Sequence, residues 1–257
     1  MNLITMSSSS SDVEMSSQTD EEGNEVIHSS MSSEQIQQNV EPVITHPNSP
    51  TVSRLSYETF ISDISRSIPD NMINECIMKR EKRGPFGIYI YLLFGQDQDP
   101  IFTAKNKSSP FHCKFFIYEP ISGKLVGTII SDSKGLNYTV SGPESSINNF
   151  TVQYGENFLG RNGCRSFELT FSDGSKFISK PPIVINGNYY QDFHDLNTIQ
   201  SIKNFVCVDK EDYVKEVCIF VRSSTNDRFT IRISRPFTLF SAFALALTSL
   251  HTGIFHR

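Results

Sequence analysis

The chain has no tryptophan, no C-x-x-C pair and no apolar run of the roughly 20 residues needed to cross a bilayer. Its five cysteines, Cys76, Cys113, Cys164, Cys207 and Cys218, are scattered and odd in number, which excludes both a disulfide framework and a zinc site and fits a reducing, intracellular compartment. The opening MNLITMSSSSSDVEM lacks a basic n-region and a sustained apolar h-region, so neither secretion nor insertion is expected and any membrane contact is peripheral. There is no Gly-Lys-Ser/Thr and no G-x-G-x-x-G, so Gly155, Gly160 and Gly163 read as turn residues. His112 and Cys113 are adjacent, and neighbours on a strand point to opposite faces; His194 in DFHDLN has acids on both sides but no nucleophile or metal-ligand spacing beside it. No catalytic residue, metal or cofactor is assigned, and the protein is expected not to be an enzyme.

Positive charge is missing from the first fifty residues, which hold eight acids and no Lys or Arg. With their Ser run and few large apolar side chains they cannot repay the entropy of ordering a backbone, and residues 1–50 are expected to form a disordered acidic tail. The tail reads as a solubilising leader, with Ser49 before Pro50 as its phosphorylation candidate. The rest carries 23 basic against 20 acidic groups, a balance too even to prescribe a nucleic-acid partner.

What is present is β texture with a helix at each end. Val52, Leu55, Phe60, Ile61, Ile64 and Ile68 recur at helical spacing until Pro69. Short runs rich in Ile, Val, Phe and Tyr follow: GIYIYLLF, PIFTA, CKFFIYE, KLVGTII, LNYTVS, NFTVQY, SFELTF, SIKNFVCV, EVCIFVR and DRFTIRI. Turn signals such as DQDP, PISGK and FSDGS separate them, so pairing is antiparallel and the fold is a sandwich or a barrel. Then comes RPFTLFSAFALALTSL, in which Leu239, Phe240, Phe243, Leu247 and Leu250 form a stripe while Ala242, Ala244 and Ala246 keep the other sides apolar; Pro236 is expected in the first turn of a helix over 236–250. A helix apolar all round must be buried all round. The interior of a closed antiparallel barrel is its economical home, and one face of an open sandwich the alternative.

Two of these segments, SIKNFVCV (201–208) and AFALALTSL (242–250), together resemble the C-terminal signatures of the tubby-like protein family. CIMKREKRG (76–84), VGTIISDSKGLNYTV (126–140) and YGENFLGRNGCR (154–165) are similar to that family's first basic strand, its G-x-L-x-S-N-x-x-G-x-x-F-x-V hairpin and its Y-E-x-N-x-L-G-x-x-G-P-R segment. The resemblance implies a tubby-like domain over residues 51–257, a closed antiparallel barrel of about twelve strands around a central hydrophobic C-terminal helix. It departs from the family at HDLNT (194–198), where a Gly-Arg-Val run is usual, and at Cys164, where a Pro is usual.

The resemblance also implies a function: monomeric, non-enzymatic binding of phosphoinositide headgroups, chiefly phosphatidylinositol 4,5-bisphosphate, on the anionic inner face of the plasma membrane. Cytoplasmic and nuclear localisation, protein partners and transcription regulation go with it. Lys105 and Lys107, two apart in AKNKSS, match the family's basic pair, and alternate residues of an extended segment point the same way. The family's hairpin Arg falls on Ile130, so Lys134 and Lys124 are the nearby cations expected to contribute. Lys79, Arg80, Lys82 and Arg83 are expected to be an ordinary solvated turn. A regulator that keeps the barrel, has lost tight lipid binding and binds protein or DNA is the alternative that Ile130 supports.

Overall fold

A computed structural model describes residues 3–6, 74–83, 88–95, 99–107, 112–143, 148–155 and 164–251. The chain divides into one unit of Met1–Ser8 with Leu55–Arg257 and another of Ser9–Arg54; the second unit lies outside the described residues, and so does the expected helix over 52–68, most of which belongs to the first. The first unit contains β1 (Leu3–Met6), β2 (Asn74–Arg83), β3 (Ile88–Phe94), β4 (Pro100–Asn106), β5 (Lys114–Tyr118), β6 (Leu125–Ser131), β7 (Asn137–Ser141) and β8 (Phe150–Tyr154). After them come β9 (Phe167–Phe171), β10 (Lys176–Ser179), β11 (Ile183–Ile185), β12 (Asn188–Asp192), β13 (Phe205–Asp209), β14 (Glu216–Ser224), β15 (Arg228–Ile233) and helix α1 (Leu239–Leu250).

Twelve of the strands close an antiparallel barrel in the order β10-β13-β14-β15-β2-β3-β4-β5-β6-β7-β8-β9. Alternation decides what faces the bore: in β8 Phe150, Val152 and Tyr154 are buried while Thr151 and Gln153 are exposed. Strands β13 and β14 are instead buried on both sides, because Phe193 and Leu196, in the loop after β12, pack outside the barrel against Val206, Val208, Ile219 and Val221. Outside the barrel, β1, β12 and β11 form a three-stranded sheet, so Leu3–Met6 is a strand within the segment expected to be a tail. The β11–β12 hairpin turns on Asn186-Gly187, both at positive φ (52° and 78°), the Asn-Gly signal of a two-residue turn.

Helix α1 fills the bore. Every residue from Phe240 to Leu250 is buried, and Phe102 stacks on Phe243 at 5.7 Å between ring centroids. The barrel wins over the sandwich because the helix has no polar side to give to water. Gly127 and Gly142 are required by the ring of Phe240: a Cβ would fall 2.4 Å from it at Gly127 and 2.2 Å at Gly142. The helix begins later than Pro236, whose cis bond to Arg235 precedes the cap. Thr238 is the N-cap, and its side chain accepts from the backbone N–H of Ser241 while the Ser241 hydroxyl accepts from the N–H of Thr238.

The far end of the helix explains the paired sequence signatures. Tyr154 is hydrogen-bonded to Thr248 at 2.9 Å, and Arg165 donates to the carbonyls of Ser249 (2.9 Å) and His251 (3.1 Å). Lys203 donates to the Leu250 carbonyl, and the Ser249 hydroxyl donates to the Lys203 carbonyl. SIKNFVCV and AFALALTSL are therefore mates. Only Phe205 onward of the former is strand, because Lys203 turns to the helix end while the Asn204 amide donates to the Ile199 carbonyl and accepts from the N–H of Arg222.

Candidate functional site

The lysines singled out by sequence lie around the hairpins β4–β5 and β6–β7. In β4 Phe102 and Ala104 face the bore, which turns Thr103 and Lys105 outward, and the exposed Lys107 continues the outward series. In β5 Phe115 and Ile117 are fully buried, so Lys114, Phe116 and Tyr118 share that outer face. Register then sets neighbours: Lys105 lies opposite Phe116, the N–H of Lys107 donates to the carbonyl of Lys114, and Lys114 lies opposite Ile130. The position where the resemblance expects an arginine is thus flanked by a lysine that sequence reasoning passed over. The sequence carries no signal for it, since Phe115, Phe116, Ile117 and Tyr118 are all large and apolar and show no alternation that would assign Lys114 a face.

Two of these lysines lie against aromatic rings, Lys105 Nζ at 5.3 Å from the Tyr118 centroid and Lys114 Nζ at 5.0 Å from that of Phe116. Lys134 sits in the tight turn after β6, at the same barrel end as Lys107, since the N–H of Ser131 donates to the Cys113 carbonyl beside the start of β5. Lys124 is at the other end of the β5–β6 hairpin, beside Leu125, which pairs with Tyr118. The structure therefore groups Lys105, Lys107, Lys114 and Lys134 by register and sets Lys124 apart.

Acidic groups near these lysines are occupied. Burial works against the charge of Glu119, but hydrogen bonds from the N–H groups of Ser122 and Ile121 outweigh it and hold its carboxyl below the usual range. Asp132 likewise accepts from the N–H of Leu136 at 2.9 Å and the amide of Asn137 at 2.6 Å. Apolar side chains stand in the open on the same hairpin: Ile121 is 76%, Leu125 48% and Ile130 43% exposed. Ile130 lies opposite Lys114, whereas Ile121 and Leu125 stand at the Lys124 end of the hairpin. Among the described residues no helix is long and apolar enough to cross a membrane.

Other candidate chemistry resolves differently. His112 is exposed and Cys113 buried, on opposite faces as alternation requires. His194 Nε2 is 2.6 Å from Glu216 Oε2, and Lys180 donates to the same carboxylate at 2.7 Å. These groups rim a cleft of about 510 Å³ on the β14–β15 side of the barrel, where Arg232 pairs with Asp195. All five cysteines are free and buried, and burial pushes the thiols of Cys76 to about 11 and Cys164 to about 12, far from nucleophilic reactivity. Among the described residues no group of three or more His, Cys, Asp or Glu side chains is placed to hold a metal ion. One sequence expectation is corrected: Lys79 to Arg83 belongs to strand β2 rather than a solvated turn, and Arg80 shares the inward phase of Cys76 and Met78.

No curated protein matches the chain. The Tub family model matches residues 171–252, which run from the end of β9 through the closing strands to the end of α1. Over that segment, which supplies the closing strands and the central helix of the twelve-stranded barrel, the chain is similar to the Tub family.

Proposed function

We propose that the protein is a non-enzymatic phosphoinositide-binding module that docks peripherally on the inner face of the plasma membrane through the outer face of β4–β6. The observation that carries this reading is the register of Lys107, Lys114 and Ile130 on adjacent strands, with Lys105 beside them and Lys134 in the neighbouring turn. Several phosphate charges within a few ångströms require clustered cations, and Lys114 supplies one next to the position where Ile130 supplies none. A lysine is a point charge without the bidentate fork of arginine, so binding is broad rather than tightly selective among ring phosphates. Ile130, opposite Lys114, adds apolar contact with the headgroup boundary. The protein then partitions between membrane and cytoplasm, and loss of the lipid releases it for a role in the nucleus.

Sedimentation with phosphatidylcholine vesicles, with and without phosphatidylinositol 4,5-bisphosphate, tests the reading. The full chain should sediment with the lipid-bearing vesicles, Lys105→Ala/Lys107→Ala and Lys114→Ala should each weaken this, and Ile130→Arg should strengthen it. Equal sedimentation of wild type and all variants would sink the lipid site. DNA binding with a steep salt dependence would favour a regulator that has lost it.

A further inference from the structure

The barrel end where α1 terminates gathers cations from distant parts of the chain. Arg80 lies on the inward phase of β2, opposite Tyr91, with its guanidinium 4.9 Å from the Tyr89 ring centroid. Arg222 occupies the corresponding phase of β14, two residues beyond the buried Phe220 and opposite Phe229. Both reach one oxygen: Asp227 Oδ1 is 2.7 Å from Arg80 Nη2 and 3.6 Å from Arg222 Nη2. Burial first, and then the nearby charges of Arg80, Arg165 and Arg222, pull the ammonium of Lys203 down to about 8.

The charge balance of this end is uneven. Two guanidinium groups, those of Arg80 and Arg222, share the one carboxylate oxygen Asp227 Oδ1, and the charges of Arg80, Arg165 and Arg222 act on Lys203 beside them. The carbonyl end of the helix offsets only about half a charge, and Arg165 and Lys203 are already hydrogen-bonded to it. The arginines are also incompletely used. The Nε–H groups of Arg80 and Arg222 are buried without a hydrogen-bond acceptor, while 19% and 33% of the two side chains remain exposed. A buried donor without an acceptor is costly, and an acceptor of two or more negative charges would satisfy both the charge and the N–H groups. The side-on edge of a guanidinium, Nε with one Nη, is the bidentate geometry that takes a phosphate.

We propose that this mouth is a second anion site, in which Arg80, Arg222 and Lys203 hold a compact phosphate-bearing ligand and Asp227 is the resident competitor for the two arginines. Its strands are not those of the lysine face on β4–β6, so it stands independently of the membrane reading. Depending on access, the phosphate belongs to a soluble metabolite or to a lipid headgroup.

Calorimetric titration of the full chain with inorganic pyrophosphate and with soluble inositol trisphosphate, beside vesicles of phosphatidylcholine with phosphatidylinositol 4,5-bisphosphate, tests this. Wild type should bind at least one soluble anion, Arg222→Gln should weaken that binding about tenfold, the scale of one charge-assisted contact, and Asp227→Asn should tighten it. The part of that binding which Arg222→Gln removes should persist in Lys105→Ala/Lys107→Ala. Vesicles that displace the soluble anion identify a lipid headgroup as the source, and vesicles that do not identify a soluble one. If Arg222→Gln fails to fold, Asp227→Asn decides, since a purely structural ion pair predicts lower stability with no gain in anion binding. Absence of soluble anion binding by both wild type and Asp227→Asn, or loss of its Arg222-dependent part in the Lys105/Lys107 variant, overturns the proposal.

Discussion

The two ends of α1 are finished by different means. The start is neutral and local: Thr238 and Ser241 cap each other within one turn, and the Thr238 hydroxyl donates to Asn148 Oδ1 at 2.7 Å. The end is charged and assembled from afar. His251 is extended (φ −69°, ψ 131°) and no basic residue occupies the last turn, so the final carbonyls take their donors from Arg165 and Lys203 of the barrel wall. A helix start can be satisfied by a hydroxyl next to it in sequence, but carbonyls need donors. A buried end without them depends on the tertiary fold. One end therefore secures the helix by itself, while the other secures it only when the barrel has closed, and it leaves cations in surplus at the mouth.

The largest test strikes between the ends. Ala244 is fully buried, and Ala244→Glu should abolish folding, seen as loss of the cooperative melt, because burying a carboxylate without a partner costs more than a domain's whole stability margin allows. Arg165→Met removes the donor to a buried and a half-buried carbonyl and should cost about 3 kcal/mol in urea unfolding. If it costs no more than loss of the N-cap, the ends do not differ as described. The third test uses pH. Burial first, then the charges of Arg165 and Lys203, lower His251 to about 4 from an ordinary 6.5. The unfolded chain therefore binds the extra proton between these values, and stability should fall as pH drops from 6.5 to 4, by on the order of 3 kcal/mol, and level off below. His251→Gln should flatten that part of the pH profile, and equal slopes would remove the charged end from the explanation. Smallest is Thr238→Ala, expected to cost about 1 kcal/mol by the same unfolding measurement and to add no pH dependence.

Much of the barrel was legible because strand alternation and an all-apolar helix are local patterns. The strands that escaped were short or poor in apolar residues: Lys176–Ser179 follows directly on a turn, and Asn188–Asp192 is half polar, although the Asn-Gly before it signalled a hairpin. The helix start was misplaced because Pro236 suits a first turn, whereas the reciprocal hydrogen bonds of Thr238 and Ser241 set the boundary two residues later. Of the candidate site, Lys105 and Lys107 were legible from a motif and Lys134 from its turn. Lys114 was not, because its value lies in facing Ile130 across a strand pair.

The sequence by itself determined that this chain would close strands around an apolar helix, since every side of that helix had to leave water. It also carried the paired signatures and the glycines at 127 and 142, although their reason, contact with Lys203 and with the Phe240 ring, appears only in the fold. Tertiary structure alone decided where the charges went. Arg80, Arg165, Lys203 and Arg222 are spread over more than half of the chain, and only register and barrel closure bring them to one mouth. Hydrophobic burial is dictated residue by residue, whereas the worth of a charge depends on its neighbours and its exposure, and those do not exist until the chain has folded.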